Sequence, residues 1–494
     1  MNAIIQIHAT DNVAVATAEI APGTELHLGE LSLTALEAVP AGHKIALRDI
    51  AEGENIIKYG FPIGHAKRAI ARGEHIHTHN LASNLAGLRE YSYHPSAVPI
   101  PSETPDTFMG YVRPDGKVGI RNEVWIIPTV GCVNGIAEAI EERCRVKMPA
   151  GVERLCAYTH PYGCSQLGGD HLMTQKALCG LIRHPNAAAV LVLGLGCENN
   201  QIADLKKVLG DYDSERVRFL ICQEVEDEIA EGERIVDELM AYAAKFKRES
   251  VPASKLIVGL KCGGSDGFSG ITANPLLGAF SGKLIAQGGS AMLTEVPEMF
   301  GAETMLMDRC VDEETFEKTV SLINNFKEYF MRYGEKINEN PSPGNKAGGI
   351  STLEDKSLGC VQKGGSAPVV DVLSYGQPIE KAGLSLLQAP GNDLVAATAL
   401  AVSGAQLVLF TTGRGTPFGC PVPTVKVATQ NVIAGKKPNW IDFGAGALLE
   451  GESMESLRER FFAYVLKVAS GEEKPHSESL SKKNLAIFKD GVTL

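Results

Sequence analysis

A change of rhythm near residue 107 constrains this chain more than any other feature. Up to about residue 82 the sequence reads as short strands broken by turns. Asn12–Ala16, His43–Leu47 and His75–His79 are strand-like, and Pro22-Gly23 and Glu52-Gly53 punctuate them. No helical period is present there, which predicts a small all-β domain over 1–82. Ser92, Pro95, Ser96, Pro99, Pro101, Ser102 and Pro105 then mark 83–106 as a linker. From 107 onward apolar strands alternate with helices. Val124–Val130 leads into a helix over 134–147, Leu155–Thr159 into one over 170–183, and Ala188–Leu193 into one from about 201. Val217–Ile221 precedes a long acidic helix over 224–248. After a hinge near Ser250–Ser254 the series resumes with Lys255–Leu260, Ala291–Thr294, Leu384–Gln388 and Gln406–Phe410. Repeated βα units build parallel sheets, so two α/β domains are expected, over 107–250 and 251–494.

With 494 residues, 44% of them hydrophobic, each piece can bury a core. The net charge is −12 with no basic stripe, which argues against nucleic acid as a partner. No apolar run approaches the ~18 residues of a membrane-spanning helix, so no membrane partner is expected. Met1-Asn2-Ala3-Ile4-Ile5 lacks the basic start of a secretion signal. A cytoplasmic protein is the expectation. The 11 cysteines include no C-x-x-C pair and read as thiols of a reducing compartment, not as a disulfide framework.

Ligands of open α/β sheets sit beyond the carboxyl ends of the strands. Cys132, Cys164, Cys197 and Cys262 each follow a predicted strand closely. They are candidates for metal or substrate contact, beside their ordinary role as small packed residues. His75, His77 and His79 alternate along one predicted strand and so share a face. Neighbours in such an H-x-H pair chelate one ion, whereas the outer two, ~13 Å apart on an extended strand, do not. His43, Lys44 and Lys58 add base-type groups in the same domain. A lysine desolvated near a metal removes a proton α to a carboxylate.

The loop Lys261–Gly270 offers backbone N–H groups and hydroxyls to an anion. It also matches G-x-S-x-G through Gly263, Ser265 and Gly267, but that triad order needs a later histidine, and only His476 follows. Asn340–Gly349 reads as a long irregular loop, a kind that is often functional. No dinucleotide, Walker or H-E-x-x-H motif stands in the right context. The residues alone point to a metal-assisted reaction on a small acidic substrate, without naming it.

The order of motifs resembles the altronate/galactarate dehydratase family, which also includes sulfolactate sulfo-lyase. The resemblance covers essentially the whole chain. Gly42-His43-Lys44, Ile57–Gly60 and His75–Asn80 look like an SAF domain, a β-clip module. Gly119–Asn122, Thr129–Asn134, Tyr162–Gly168, Gly194–Asn200, Glu295–Glu298, Ala389–Asp393 and Thr411–Gly419 resemble the α/β body. Length and Tyr162–Gly168 favour the altronate branch. The resemblance implies an SAF-like β-clip domain followed by parallel-sheet, Rossmann-like α/β domains. It implies a hydro-lyase using Fe²⁺, with Mn²⁺ as a substitute, that turns D-altronate into 2-keto-3-deoxy-D-gluconate in hexuronate breakdown. In such a reaction Lys44, Lys58 or His43 would take the C2 proton. His77 or His79 would protonate the leaving 3-hydroxyl, and Ser265, Asn345, Lys346 and Arg414 would hold the carboxylate and polyol. Two ligand sets stay open for the metal. One is His75 with His77; the other is Cys132, Cys164, Cys197, Cys262 and Glu295, three of whose thiols would serve an iron–sulfur cluster. The expected partner is a small sugar acid, with a homo-oligomer left open. Galactarate is the competing substrate, and a non-catalytic sugar-acid sensor is the competing class.

Overall fold

The computed structural model describes residues 3–480 and 485–493. Met1-Asn2, the start of the segment read for a secretion signal, lies outside the described residues. The beginning of the chain is strand-rich, as expected. Ile4–Ile5, Val13–Ala16, Lys44–Ala46 and His75–Ile76 pair in that order into an antiparallel sheet. Asn55–Lys58, Phe61–Ala66 and Leu81–Ala82 form a second.

The strand predicted over His75–His79 stops at Ile76. The His77 N–H donates to Asn80 Oδ1 at 3.0 Å, and the Leu81 N–H donates to His77 O at 3.0 Å. These bonds turn the backbone, so the three histidines do not stand in an extended row. The His79 ring comes 5.5 Å from that of His75, where an extended strand would hold them ~13 Å apart.

Residues 83–106 form no helix and no strand, yet they are laid along the C-terminal body as a strap. Tyr91 Oη donates to Glu303, Tyr93 Oη donates to Cys310 O at 2.5 Å, and the Ser96 N–H donates to Asp308 O at 2.7 Å.

Arg154–Ala157, Glu123–Pro128, Ala187–Gly194 and Val217–Ile221 lie side by side in that order, all parallel. Every residue of Ala187–Gly194 is buried, as a parallel strand covered on both faces requires. Helices Asn134–Arg145, Gly168–Ile182, Ile202–Leu209 and Glu228–Ala243 follow the four strands in turn. The last is shorter than the acidic run suggested, because Asp227 caps it by accepting the N–H groups of Ile229 and Ala230. Thr107–Val112 pairs antiparallel with Glu249–Pro252, joining the start and end of this piece.

The C-terminal sheet has seven parallel strands. Across it run Val369–Leu373, Gly383–Leu387, Ser290–Leu293, Ile257–Cys262, Leu407–Thr412, Thr424–Ala428 and Phe443–Gly444. The segment Asn340–Gly349 is not irregular throughout, since Pro343–Ala347 is a short helix capped by Ser342. One apolar core runs from Ile56, Tyr59, Ile63 and Ile76 of the β-module into Leu260, Phe300 and Leu358 of the body. The module is therefore packed against the body, close to the carboxyl end of Ile257–Cys262.

Candidate active site

The helix Leu353–Cys360 organises the site. Thr352 Oγ1 caps it by accepting the Asp355 N–H at 3.2 Å. All eight of its residues are buried, although three are charged. Buried charged groups persist only when paired or hydrogen-bonded, and each of these is. Glu354 accepts the Ser83 hydroxyl at 2.9 Å and the Asn84 N–H at 2.6 Å, both at the start of the strap. Asp355 takes Lys44 Nζ and Lys58 Nζ, each at 2.9 Å. Lys356 Nζ lies 2.8 Å from Glu298. At the end of the helix Cys360 Sγ stands 3.5 Å from Cys262 Sγ. One helix thus joins the β-module to a strand end of the body.

The two lysines on Asp355 behave differently. Burial pulls Lys44 down to about 8, with the attraction of Asp355 opposing and the charge of Lys58 assisting. Burial also pulls on Lys58, but Asp355 and Tyr59 outweigh it and hold this ammonium above the ordinary lysine range. Burial would raise Asp355, yet Lys44 and Lys58 keep its carboxyl below the usual carboxylate range. The result is a lasting ion pair plus a lysine that releases its proton near neutral pH, which suits a general base. Lys44 Nζ also donates to Gly349 O at 2.7 Å.

Cys262, Glu298 and Cys360 bring one ligand atom each within 4.8 Å of the others, and all three are buried. Glu298 Oε2 lies 3.1 Å from Cys262 Sγ and 3.2 Å from Cys360 Sγ. Lys363 Nζ is 2.9 Å from Cys262 Sγ and 2.9 Å from Glu295. Glu295 is fully buried at a left-handed φ of 68°, a conformation costing about 1–3 kcal/mol outside glycine. Its carboxylate offsets that cost by pairing with Lys261 and Lys363 and accepting the Cys262 N–H at 3.0 Å. A thiol-rich, carboxylate-bearing donor set fits a divalent transition metal. The hydrogen bond from Cys262, with burial, pushes the Cys360 thiol up, so metal entry would release its proton. Burial would raise Glu298 as well, but Lys356, Lys363 and Lys261 hold it below the usual range.

The histidines of the β-module face the segment Ala347–Ser351. His43 Nδ1 is 3.0 Å from His75 Nε2, His43 Nε2 is 3.4 Å from Ala347 O, and His77 Nδ1 is 3.0 Å from Ser351 Oγ. Burial lowers all three rings. His75 falls to about 3, with His43, His77, His79 and Lys44 adding to the effect. His77 falls to about 4, with Lys44 and His43 adding to it. His43 is lowered by burial and then by Lys44. All three are neutral at pH 7.

The groups expected from the sequence are partly gathered. His43, Lys44, Lys58 and His77 meet the segment 347–355, and His75 joins them through His43. Cys262 and Glu295 belong to the thiol cluster. Ser265 and Asn345 meet through Asn345 Nδ2, which donates to Ser265 O at 2.8 Å. Lys346 is half-buried on the short helix, and Arg414 is exposed beside Gly264. His79 is exposed and lies with Glu37 and Glu74. Cys132, Cys164 and Cys197 are exposed on the other parallel sheet and do not join Cys262. The sequence reading missed Asp355, Lys356, Cys360, Glu298 and Lys363 as site residues. Glu298 stood within a noted motif, Glu295–Glu298, but nothing marked the helix after the 340–349 segment as buried.

Lys58, Ser265, Asp355, Lys356 and Cys360 line a small pocket of about 10 Å³, room for one water. A cavity of about 630 Å³, bordered by Lys117, Arg183, Lys255 and Ser403, contains none of these groups.

Fold and site together define a modular α/β enzyme, with buried lysines, carboxylates and thiols where a β-module meets the carboxyl end of a parallel strand. Three family models match the chain in order: the altronate/galactarate dehydratase SAF domain over 2–84, the D-galactarate dehydratase/altronate hydrolase second domain over 110–244, and the D-galactarate/altronate dehydratase C-terminal domain over 253–493. The chain is 54% identical over 493 residues to altronate dehydratase of Escherichia coli (strain K12), covering 99% of each chain. It is 55% identical over 499 residues to altronate dehydratase of Bacillus subtilis (strain 168), covering 100% of each. It is 34% identical to galactarate dehydratase (L-threo-forming) of E. coli, covering 98% of this chain and 96% of that one. The chain belongs to the D-galactarate/altronate dehydratase family.

Proposed function

We propose that this enzyme dehydrates D-altronate to 2-keto-3-deoxy-D-gluconate, working as four parts over 1–82, 83–106, 107–250 and 251–494. Identity of 54% and 55% to two altronate dehydratases, against 34% to a galactarate dehydratase, supports that substrate. The observation that carries the chemistry is Lys44, held at about 8 beside Asp355 at the meeting of module and body.

Neutral Lys44 Nζ takes the proton from C2. The C3–O bond then breaks, and the leaving hydroxyl departs as water, taking its proton from His79 or from the Lys44 ammonium by way of neutral His77, which gives one proton and receives another. The enol left behind tautomerises to the 2-keto acid. Lys58 stays an ammonium and stabilises the negative charge that develops at the substrate carboxylate. His43 keeps the base end of the histidine group oriented through His75. Ser265 and Asn345 hold polyol hydroxyls, with Lys346 and Arg414 at the approach.

A divalent metal, Fe²⁺ or Mn²⁺, would be held by Cys262, Glu298 and Cys360, with Glu295 beside them, and would supply Lewis-acid polarisation. The alternative ligands, His75 with His77, are supported by their neutral rings. Cys262 and Cys360, 3.5 Å apart and needed as thiols, support a reducing, cytoplasmic setting. The reversal of strand order at Glu123–Pro128 supports a Rossmann-like build for the second domain.

The test is anaerobic turnover with Fe²⁺ on D-altronate, galactarate and sulfolactate in parallel, assaying 2-keto-3-deoxy acid, and sulfite for the last. Turnover of altronate alone upholds the proposal. Turnover of galactarate alone replaces the substrate, and iron binding without any turnover sinks the catalytic reading.

A further inference from the structure

The 11 cysteines divide sharply. Eight are buried, and the three exposed ones, Cys132, Cys164 and Cys197, all lie at the same end of the same sheet. They follow Glu123–Pro128, Arg154–Ala157 and Ala187–Gly194, which are neighbours in that sheet. Cys222, after the edge strand Val217–Ile221, is buried and its thiol is pushed up to about 11 by burial, so it is a packing residue.

The three loops are tied to one another through their backbones. The Gly131 N–H donates to Tyr162 O at 2.9 Å and the Asn200 N–H to Gly163 O at 3.0 Å. The Ser165 N–H donates to Asn199 Oδ1 at 2.7 Å. Glu198 accepts the Thr129 hydroxyl at 2.6 Å and the Gly196 N–H at 2.6 Å. Each cysteine thus sits one or two residues from a cross-loop bond, on a backbone fixed more firmly than an exposed loop needs. Gly163, Ser165 and Gly196, beside two of the cysteines, have φ of 99°, 57° and 128°, the left-handed form found in backbone nests around anionic clusters. In the same loop Asn200 Oδ1 is buried without a hydrogen-bond partner.

A single tetrahedral ion bound at about 2.3 Å would draw three sulfurs to about 3.8 Å from one another. Among the described residues these three do not converge within 4.8 Å, as Cys262, Glu298 and Cys360 do. Thiols presented by neighbouring, mutually hydrogen-bonded loops, without convergence on one ion, suit a centre of several metal atoms. We propose that Cys132, Cys164 and Cys197 hold an iron–sulfur cluster, one iron of which has no protein thiolate. This site is separate from the Lys44–Asp355 site, and its test does not depend on the dehydration reading.

The full chain is reconstituted anaerobically with Fe²⁺ and sulfide, and iron, acid-labile sulfide and visible absorption are measured per chain. Equal iron and sulfide are expected, with visible sulfur-to-iron bands that Cys132→Ser, Cys164→Ser and Cys197→Ser each abolish. Cys262→Ser and Cys222→Ser should keep the bands, and unchanged melting curves establish that each variant is folded. Iron bound without labile sulfide, zinc bound in its place, or bands that survive all three exposed-cysteine variants would overturn the proposal.

Discussion

Asp355 Oδ2 accepts Lys44 Nζ at 2.9 Å although the two residues stand on different structural pieces, a body helix and a β-module strand. The pair is fully buried on both sides, so it sets the protonation of Lys44 and the seating of the module together. If Lys44 is the base, kcat/KM rises with pH through about 8 and then levels. Lys44→Met should cut kcat roughly 10²–10⁴-fold with a smaller change in KM. Asp355→Asn removes the attraction that holds the Lys44 proton, so the rising limb should move to lower pH. A pH–rate profile that ignores both substitutions would remove Lys44 from the mechanism.

The buried histidines predict acid sensitivity. His75 titrates at about 3 and His77 at about 4 in the fold, against about 6.5 when unfolded. Between those values the unfolded chain binds more protons, so stability falls as pH drops from about 6.5 towards 4. His77→Gln should flatten the dependence of Tm on pH in that window. An unchanged slope would mean that another group governs it.

How much of this was legible in the sequence depended on local signals. The βα alternation marked Ile257–Cys262 and Glu123–Pro128 because every turn of the pattern repeats. Lys44 and Lys58 stood out within short motifs of a small domain. Asp355, their partner, did not, because Glu354-Asp355-Lys356 reads like a solvated helix face, and only tertiary packing buries it on all sides. His79 was misplaced for a similar reason: Asn80 turns the chain, and the alternation of His75, His77 and His79 carries no trace of that turn.

Backbone contact between the module and the body gives a mechanical prediction. A Cβ on Gly267 would lie 1.9 Å from Gly42 O, whereas one on Gly344 meets nothing within 4 Å. Gly267→Ala must push the module away, at a cost of about 1–3 kcal/mol, while Gly344→Ala serves as the control. Limited proteolysis should cut 83–106 faster in the first variant alone, and its kcat/KM should fall. Equal cutting in both would show that the contact does not hold the module down.

The thiol cluster gives the last. Glu298 reaches Cys262 and Cys360 with the same oxygen, so all three donors face one point, while Lys363 and Lys356 balance their charge from behind. If a divalent metal sits there, Cys360→Ser and Glu298→Gln should each weaken Fe²⁺ binding by at least about 10–100-fold, measured by anaerobic titration. Lys363→Met should act differently. It removes a cation that competes for Cys262 and Glu295, so metal affinity should hold or rise, while the Cys360 thiol, which Lys363 helps to ionise, becomes harder to ionise without metal. His75→Gln should leave Fe²⁺ affinity unchanged if the thiols are the ligands. A loss of binding in that variant, with Cys360→Ser still binding normally, would transfer the metal to the histidines of the β-module.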